Sequence, residues 1–78
     1  MREKKEYIVI TFNATTAALA MEKACNSAGI PGRIIPVPGE ISAGCGLAWR
    51  IEPNEYLSNE DRIAKLGITY EGIFRVVI

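Results

Sequence analysis

Hydrophobic and polar positions alternate with a period of two in three stretches of this chain and recur at helical spacing in two others. Tyr7 to Phe12, YIVITF, is β-branched and aromatic, with Ile8, Ile10 and Phe12 on one face and Tyr7, Val9 and Thr11 on the other. This predicts the first strand. Asn13, Ala14, Thr15 and Thr16 then offer N-cap candidates for a helix whose small residues, from Ala17 and Ala18 through Met21 and Ala24 to Cys25 and Ala28, fall on one stripe. Gly29 is its expected stop. Ile30 to Val37 is strand-like, but Pro31 and Pro36, with Pro38 following, withhold ladder donors and predict an edge strand. Leu47, Trp49 and Ile51 alternate with Ala48 and Arg50, a half-buried strand ending at Pro53 with Trp49 as its core anchor.

A second helix is expected before Gly67. A helix running from Asn54 would set Glu60 in its apolar face, so the reading places a turn through Tyr56 and Leu57 and starts the regular helix near Ser58, with Ser58 and Asp61 as capping box. Thr69 to Ile78 predicts the last strand, with Phe74, Val76 and Ile78 on one face and Ile73, Arg75 and Val77 on the other. The order β-α-β-β-α-β predicts an α+β, ferredoxin-like fold: a four-stranded antiparallel sheet in the order 4-1-3-2 with both helices on one face.

Length and composition narrow the function. Seventy-eight residues suit a single domain over 1–78, and 49% hydrophobic with 23% charged residues is the balance of a globular chain. Nine basic residues offset nine acidic ones, so no net positive field draws a phosphate backbone and nucleic acid is not expected as a partner. Nothing approaches the ~20 apolar residues of a membrane span, and the N-terminus lacks a signal-peptide pattern, so a cytoplasmic location is expected. Two cysteines in a reducing cytosol argue against a structural disulfide. With no histidine, the usual general base and the commonest metal ligand are both missing, and neither a metal nor a cofactor is expected.

Cys25, mid-stripe on the first helix, reads as core, because buried free cysteine behaves as a small hydrophobe. Cys45 differs: Gly44 and Gly46 flank it with residues that have no side chains, in a loop holding Ser42 and Gly39. It reads either as an accessible thiolate among free backbone N–H groups or as a gap filler in a glycine-shaped hairpin, and spacing leaves both open. Topology shifts the balance. In the split fold the loop between strands two and three lies where the first strand ends and the first helix begins, so Cys45 should approach Asn13, Thr15 and Thr16. The free N–H groups and positive dipole end of that helix favour an anion and lower a thiol pKa from about 8.5. Arg33 and Arg50 would add positive charge if they faced the loop.

The run RIIPVPGEISAGCGLAWR, with YIVITFNATTAALAMEKACNSAGIP before it and YEGIFRVVI at the end, resembles the selenium/sulfur carrier-like family over nearly the whole chain. Its most specific piece is the proline-containing strand followed by E-x-S-x-x-C-G-L-A, which maps the family's cysteine onto Cys45 and the glycine after it onto Gly46, with Glu40 and Ser42 before them. Gly39 stands where a basic residue is expected, which leaves more of the thiol's activation to the helix terminus. The resemblance implies a carrier that holds sulfur or selenium on Cys45 as a persulfide or selenopersulfide, taking it from a donor protein and passing it to an acceptor protein. A non-enzymatic thiol carrier needs no separate base.

Two alternatives belong to other classes. One is a small-molecule-binding regulatory module using the backbone donors of Gly39, Gly44 and Gly46. The other is an interaction module that forms a homodimer through the helix-free sheet face, expected to display Tyr7, Val9, Thr11, Ala48 and Arg50 with Ile73, Arg75 and Val77 of the last strand.

Overall fold

The structure, a computed structural model, describes residues 4–39, 41 and 46–78. Its elements follow the expected order: β1 (Glu6–Thr11), α1 (Thr15–Ala28), β2 (Arg33–Pro36), β3 (Leu47–Ile51), α2 (Pro53–Lys65) and β4 (Gly72–Val77). The strands form one sheet in the order β2-β3-β1-β4, every neighbouring pair antiparallel. This is the ferredoxin-like arrangement read from the sequence, with the order 4-1-3-2 seen from the other edge.

The core follows from the period-two pattern. Ile8 lies opposite Ile51 and Ile10 opposite Trp49, and residues directly opposite share a face. With Phe12 they make one apolar surface, against which α1 lays Ala18, Met21 and Cys25, all buried. Small side chains let the helix approach closely. α1 ends in a Schellman motif: Gly29 has φ 72°, its N–H donates to the Asn26 carbonyl at 3.4 Å, and the Ile30 N–H donates to the Cys25 carbonyl at 2.9 Å. Ile30 is thereby delivered into the core beside Cys25.

The chain then passes Gly32, which has φ +135°; a Cβ there would stand 2.6 Å from three atoms of the Trp49 indole. Only glycine lets the backbone lie on that ring. Trp49 is fully buried, as expected of a core anchor, although its Nε1–H has no partner among the described residues.

Four expectations are corrected. α2 begins at Pro53, not near Ser58: proline at the first helical position has φ preset and lacks only an N–H that would be orphaned there anyway, and Glu52 in extended geometry precedes it. The Tyr56 N–H already donates to the Glu52 carbonyl at 2.8 Å, so the region expected to turn is helical.

The faces of β4 are also reversed. Ile10 pairs with Ile73 and Val9 with Phe74, so Ile73 shares the helix side, while Phe74 and Val76 share the open side with Val9. The alternation itself is present, but within a strand it carries no information about which set faces the helices. Finally, the open face is not a plain display surface. Val9, Thr11 and Ala48 are fully buried, and Ile41, from the loop between β2 and β3, packs on Val9 and Ala48. The two outer strands are shorter than expected, β2 starting at Arg33 and β4 at Gly72.

Candidate functional site

The β2–β3 connection closes at the end of the sheet where β1 gives way to α1. Pro36 pairs with Leu47, the Val37 N–H donates to the Gly46 carbonyl at 3.0 Å, and Thr11, the last residue of β1, pairs with Ala48. The register carries Gly46 to the level of Asn13. Gly46 has φ +82°, a left-handed conformation that glycine adopts without strain, and open space where a Cβ would stand. On the other side of the connection the Ile41 N–H donates to the Pro38 carbonyl at 3.0 Å, and the Ile41 side chain is buried against the open sheet face. Among the described residues of this connection, Val37 and Gly46 are thus joined by a backbone bond and Ile41 is an apolar anchor.

The first turn of α1 begins at this same end of the sheet, separated by three residues from the end of β1 at Thr11. Ala14 occupies the N-cap position with φ −135° and ψ 142°, and its carbonyl accepts the N–H groups of Ala17 at 3.1 Å and Ala18 at 3.3 Å. Among the described residues no side chain caps the helix, and no acidic residue lies in its first turn. Asn13, Thr15 and Thr16 are exposed at this terminus and none of them acts as a cap. The N–H groups of the first turn and the positive end of the helix dipole are left to solvent or to whatever approaches.

Of the residues singled out from sequence, Gly46, Asn13, Thr15 and Thr16 are thus brought to one end of the molecule. Cys45, Gly44 and Ser42, with Glu40, lie outside the described residues. Arg33 and Arg50 do not join this end. They pair with each other three residues along the ladder from Pro36 and Leu47, about 10 Å away at the rise of a strand. The Arg50 guanidinium instead stacks over the Tyr7 ring, 4.4 Å from its centroid. Cys25 is fully buried, and desolvation pushes its thiol pKa above the ordinary value, the opposite of what a reactive thiolate needs. Among the described residues no cluster of histidine, cysteine or carboxylate side chains suits a metal, and no helix is long and apolar enough to cross a membrane.

One feature was missed. α2 buries none of its residues fully, and between it and the sheet lies a cleft of about 210 Å³, with Phe12, Tyr56, Glu60, Ile63, Tyr70 and Ile73 in its lining. Burial, then the nearby Glu60 carboxylate and Tyr70, raises the Tyr56 phenol pKa. The signal was in the sequence: a helix starting at Pro53 sets Glu60 in the apolar face, and the chain opens a cleft there rather than shortening the helix.

The sequence profile of one family, described as "Putative Se/S carrier protein-like", matches residues 7–75 of this chain. No curated protein and no solved structure matches significantly.

Proposed function

The chain belongs to the Se/S carrier protein-like family, and from that premise we propose that Cys45 carries a sulfur or selenium atom between a donor and an acceptor protein. The observation that carries this reading is the family match itself, which spans both the cysteine-bearing segment and the start of the first helix. Two further features support it. Gly46, bonded to Cys45, lies at the end of the sheet where α1 begins, and that helix N-terminus carries no capping side chain among the described residues and no acidic residue in its first turn, a setting that favours an anion. The second thiol, Cys25, is sealed in the core and its pKa is raised, so it does not compete.

In the transfer the Cys45 thiolate attacks the sulfane sulfur of a donor persulfide. A new sulfur–sulfur bond forms on Cys45, the donor's sulfur–sulfur bond breaks, and the donor cysteine leaves as a thiolate. The oxidation level is carried over with the atom, so no external oxidant or reductant enters. An acceptor thiolate then attacks the terminal sulfur and regenerates Cys45; selenium follows the same course. Thiolate fraction and access govern the rate, and no histidine base is required.

The test is intact-protein mass spectrometry after incubation with a protein persulfide donor. The expected result is a gain of one sulfur atom that disappears in Cys45→Ala, persists in Cys25→Ala and is discharged by an acceptor thiol. Absence of the adduct on wild-type protein, or its persistence in Cys45→Ala, overturns the reading.

A further inference from the structure

The two edges of the sheet are built differently. β2 has four residues, ends at Pro36, and has Pro31 and Pro38 on either side, so its capacity to accept another strand is poor. β4 has six residues, no proline, and among the described residues pairs only with β1. Its one charged side chain, Arg75, is held towards Glu6 at 3.0 Å. Of the six large hydrophobic side chains exposed among the described residues, three lie in this strand: Ile73 at 39%, Phe74 at 41% and Val77 at 52%. An unprotected edge carrying exposed apolar side chains on both faces is a template for strand addition.

The ladder shows which backbone groups are free. Lys5 and Ile78 exchange both N–H···O bonds, at 3.1 and 3.0 Å. Hydrogen-bonded pairs alternate in an antiparallel ladder, so Tyr7–Val76 and Val9–Phe74 are also of that kind. Ile73, Arg75 and Val77 therefore turn their N–H and C=O groups outward, in the spacing another antiparallel strand requires.

We propose that β4 pairs with β4 of a second copy of this chain, antiparallel about a two-fold axis through Phe74, joining two sheets into one of eight strands. The occupant is a second copy because the strand is self-complementary in this register. Ile73 then lies opposite Arg75 of the partner subunit, and the two symmetric pairs supply four backbone hydrogen bonds. The two Phe74 side chains lie opposite one another on the open face in the closer, non-hydrogen-bonded position, each ring leaning over its own Gly72. The neighbouring register, centred on Arg75, would set two guanidinium groups directly opposite one another, which is unfavourable. This interface differs from one through the open sheet face, whose centre is already filled by Ile41.

Sedimentation of Cys45→Ser protein, which removes adventitious disulfide dimers, is expected to show the average mass rising with concentration from 8.5 kDa towards twice that value. Ile73→Lys and Val77→Lys should each weaken association at least tenfold while circular dichroism stays unchanged. Oxidation of Phe74→Cys in the same background should give a covalent dimer, and Val76→Cys, on the same face but off the axis, should not. A mass that stays at 8.5 kDa up to about 1 mM, where association would be worth under about 4 kcal/mol, overturns the proposal. Association that neither lysine weakens, or equal cross-linking through positions 74 and 76, overturns it as well. The cross-linking pair still decides if a lysine variant fails to fold.

Discussion

Ala14→Asp probes the candidate site through its most tractable component. Ala14 has the extended backbone of an N-cap but no side chain to act as one, and the first turn of α1 holds no acidic residue. An aspartate there meets N–H groups of the second and third helical positions, Thr16 and Ala17. Supplying a cap in place of alanine is worth about 0.5–2 kcal/mol, and a negative charge at a helix N-terminus adds about 0.3–1 kcal/mol. A gain of about 1–3 kcal/mol results, which in a chain of this size raises Tm by about 4–8 °C per kcal/mol.

The same charge opposes a thiolate drawn to that terminus, so the Cys45 pKa should rise and alkylation at neutral pH should slow. Ala14→Asn supplies the cap without the charge; it should stabilise the fold and leave the thiol pKa closer to that of the wild type. Thermal unfolding and the pH dependence of iodoacetamide labelling read the two effects separately. A stabilised Ala14→Asp protein whose Cys45 titrates as in wild type would refute the role given to the helix dipole. An unchanged Tm in both variants would refute the N-cap geometry.

Other expectations concern the fold. Gly32→Ala forces a Cβ to within 2.6 Å of the buried Trp49 indole at φ +135°; left-handed strain of about 1–2 kcal/mol and overpacking of about 1–3 kcal/mol should lower stability by about 2–5 kcal/mol, and a urea midpoint close to wild type would contradict this. The Tyr56 pKa is raised above its ordinary 10.0, chiefly by burial. Above pH 10 the unfolded chain therefore releases the phenolic proton first and binds fewer protons than the folded one, so stability should fall as pH climbs past that point. Tyr56→Phe should flatten the fall, and an ultraviolet titration in which all three tyrosines ionise together at the ordinary value would count against it.

How much of this was legible in the chain differs from residue to residue. Alternation placed Ile8, Ile10, Trp49 and Ile51 on one surface, and small residues at helical spacing placed Ala18, Met21 and Cys25 against it. These assignments held because period and side-chain size are local properties. The stop at Gly29 held for the same reason, since a left-handed residue closing a helix needs little beyond the glycine itself. The start of α2 was misread because two local signals competed, Pro53 against Glu60, and only packing on the sheet decided that Glu60 would border a cleft. That α1 ends up without a side-chain cap, although Asn13, Thr15 and Thr16 were all candidates, was also invisible from composition.

By itself, the sequence determined the element order, the sheet topology that order implies, the inert placement of Cys25 and the family. Tertiary structure alone decided which face of β4 meets the helices, that Ile41 packs on the open face, that Arg33 and Arg50 pair three residues along the ladder from Pro36 and Leu47, and that β4 pairs only with β1 among the described residues. The physical reason is that a strand's pattern fixes its two faces only relative to each other. Which face turns inward, and which backbone groups remain unpaired, depends on register with distant residues, 71 positions away where Glu6 meets Val77.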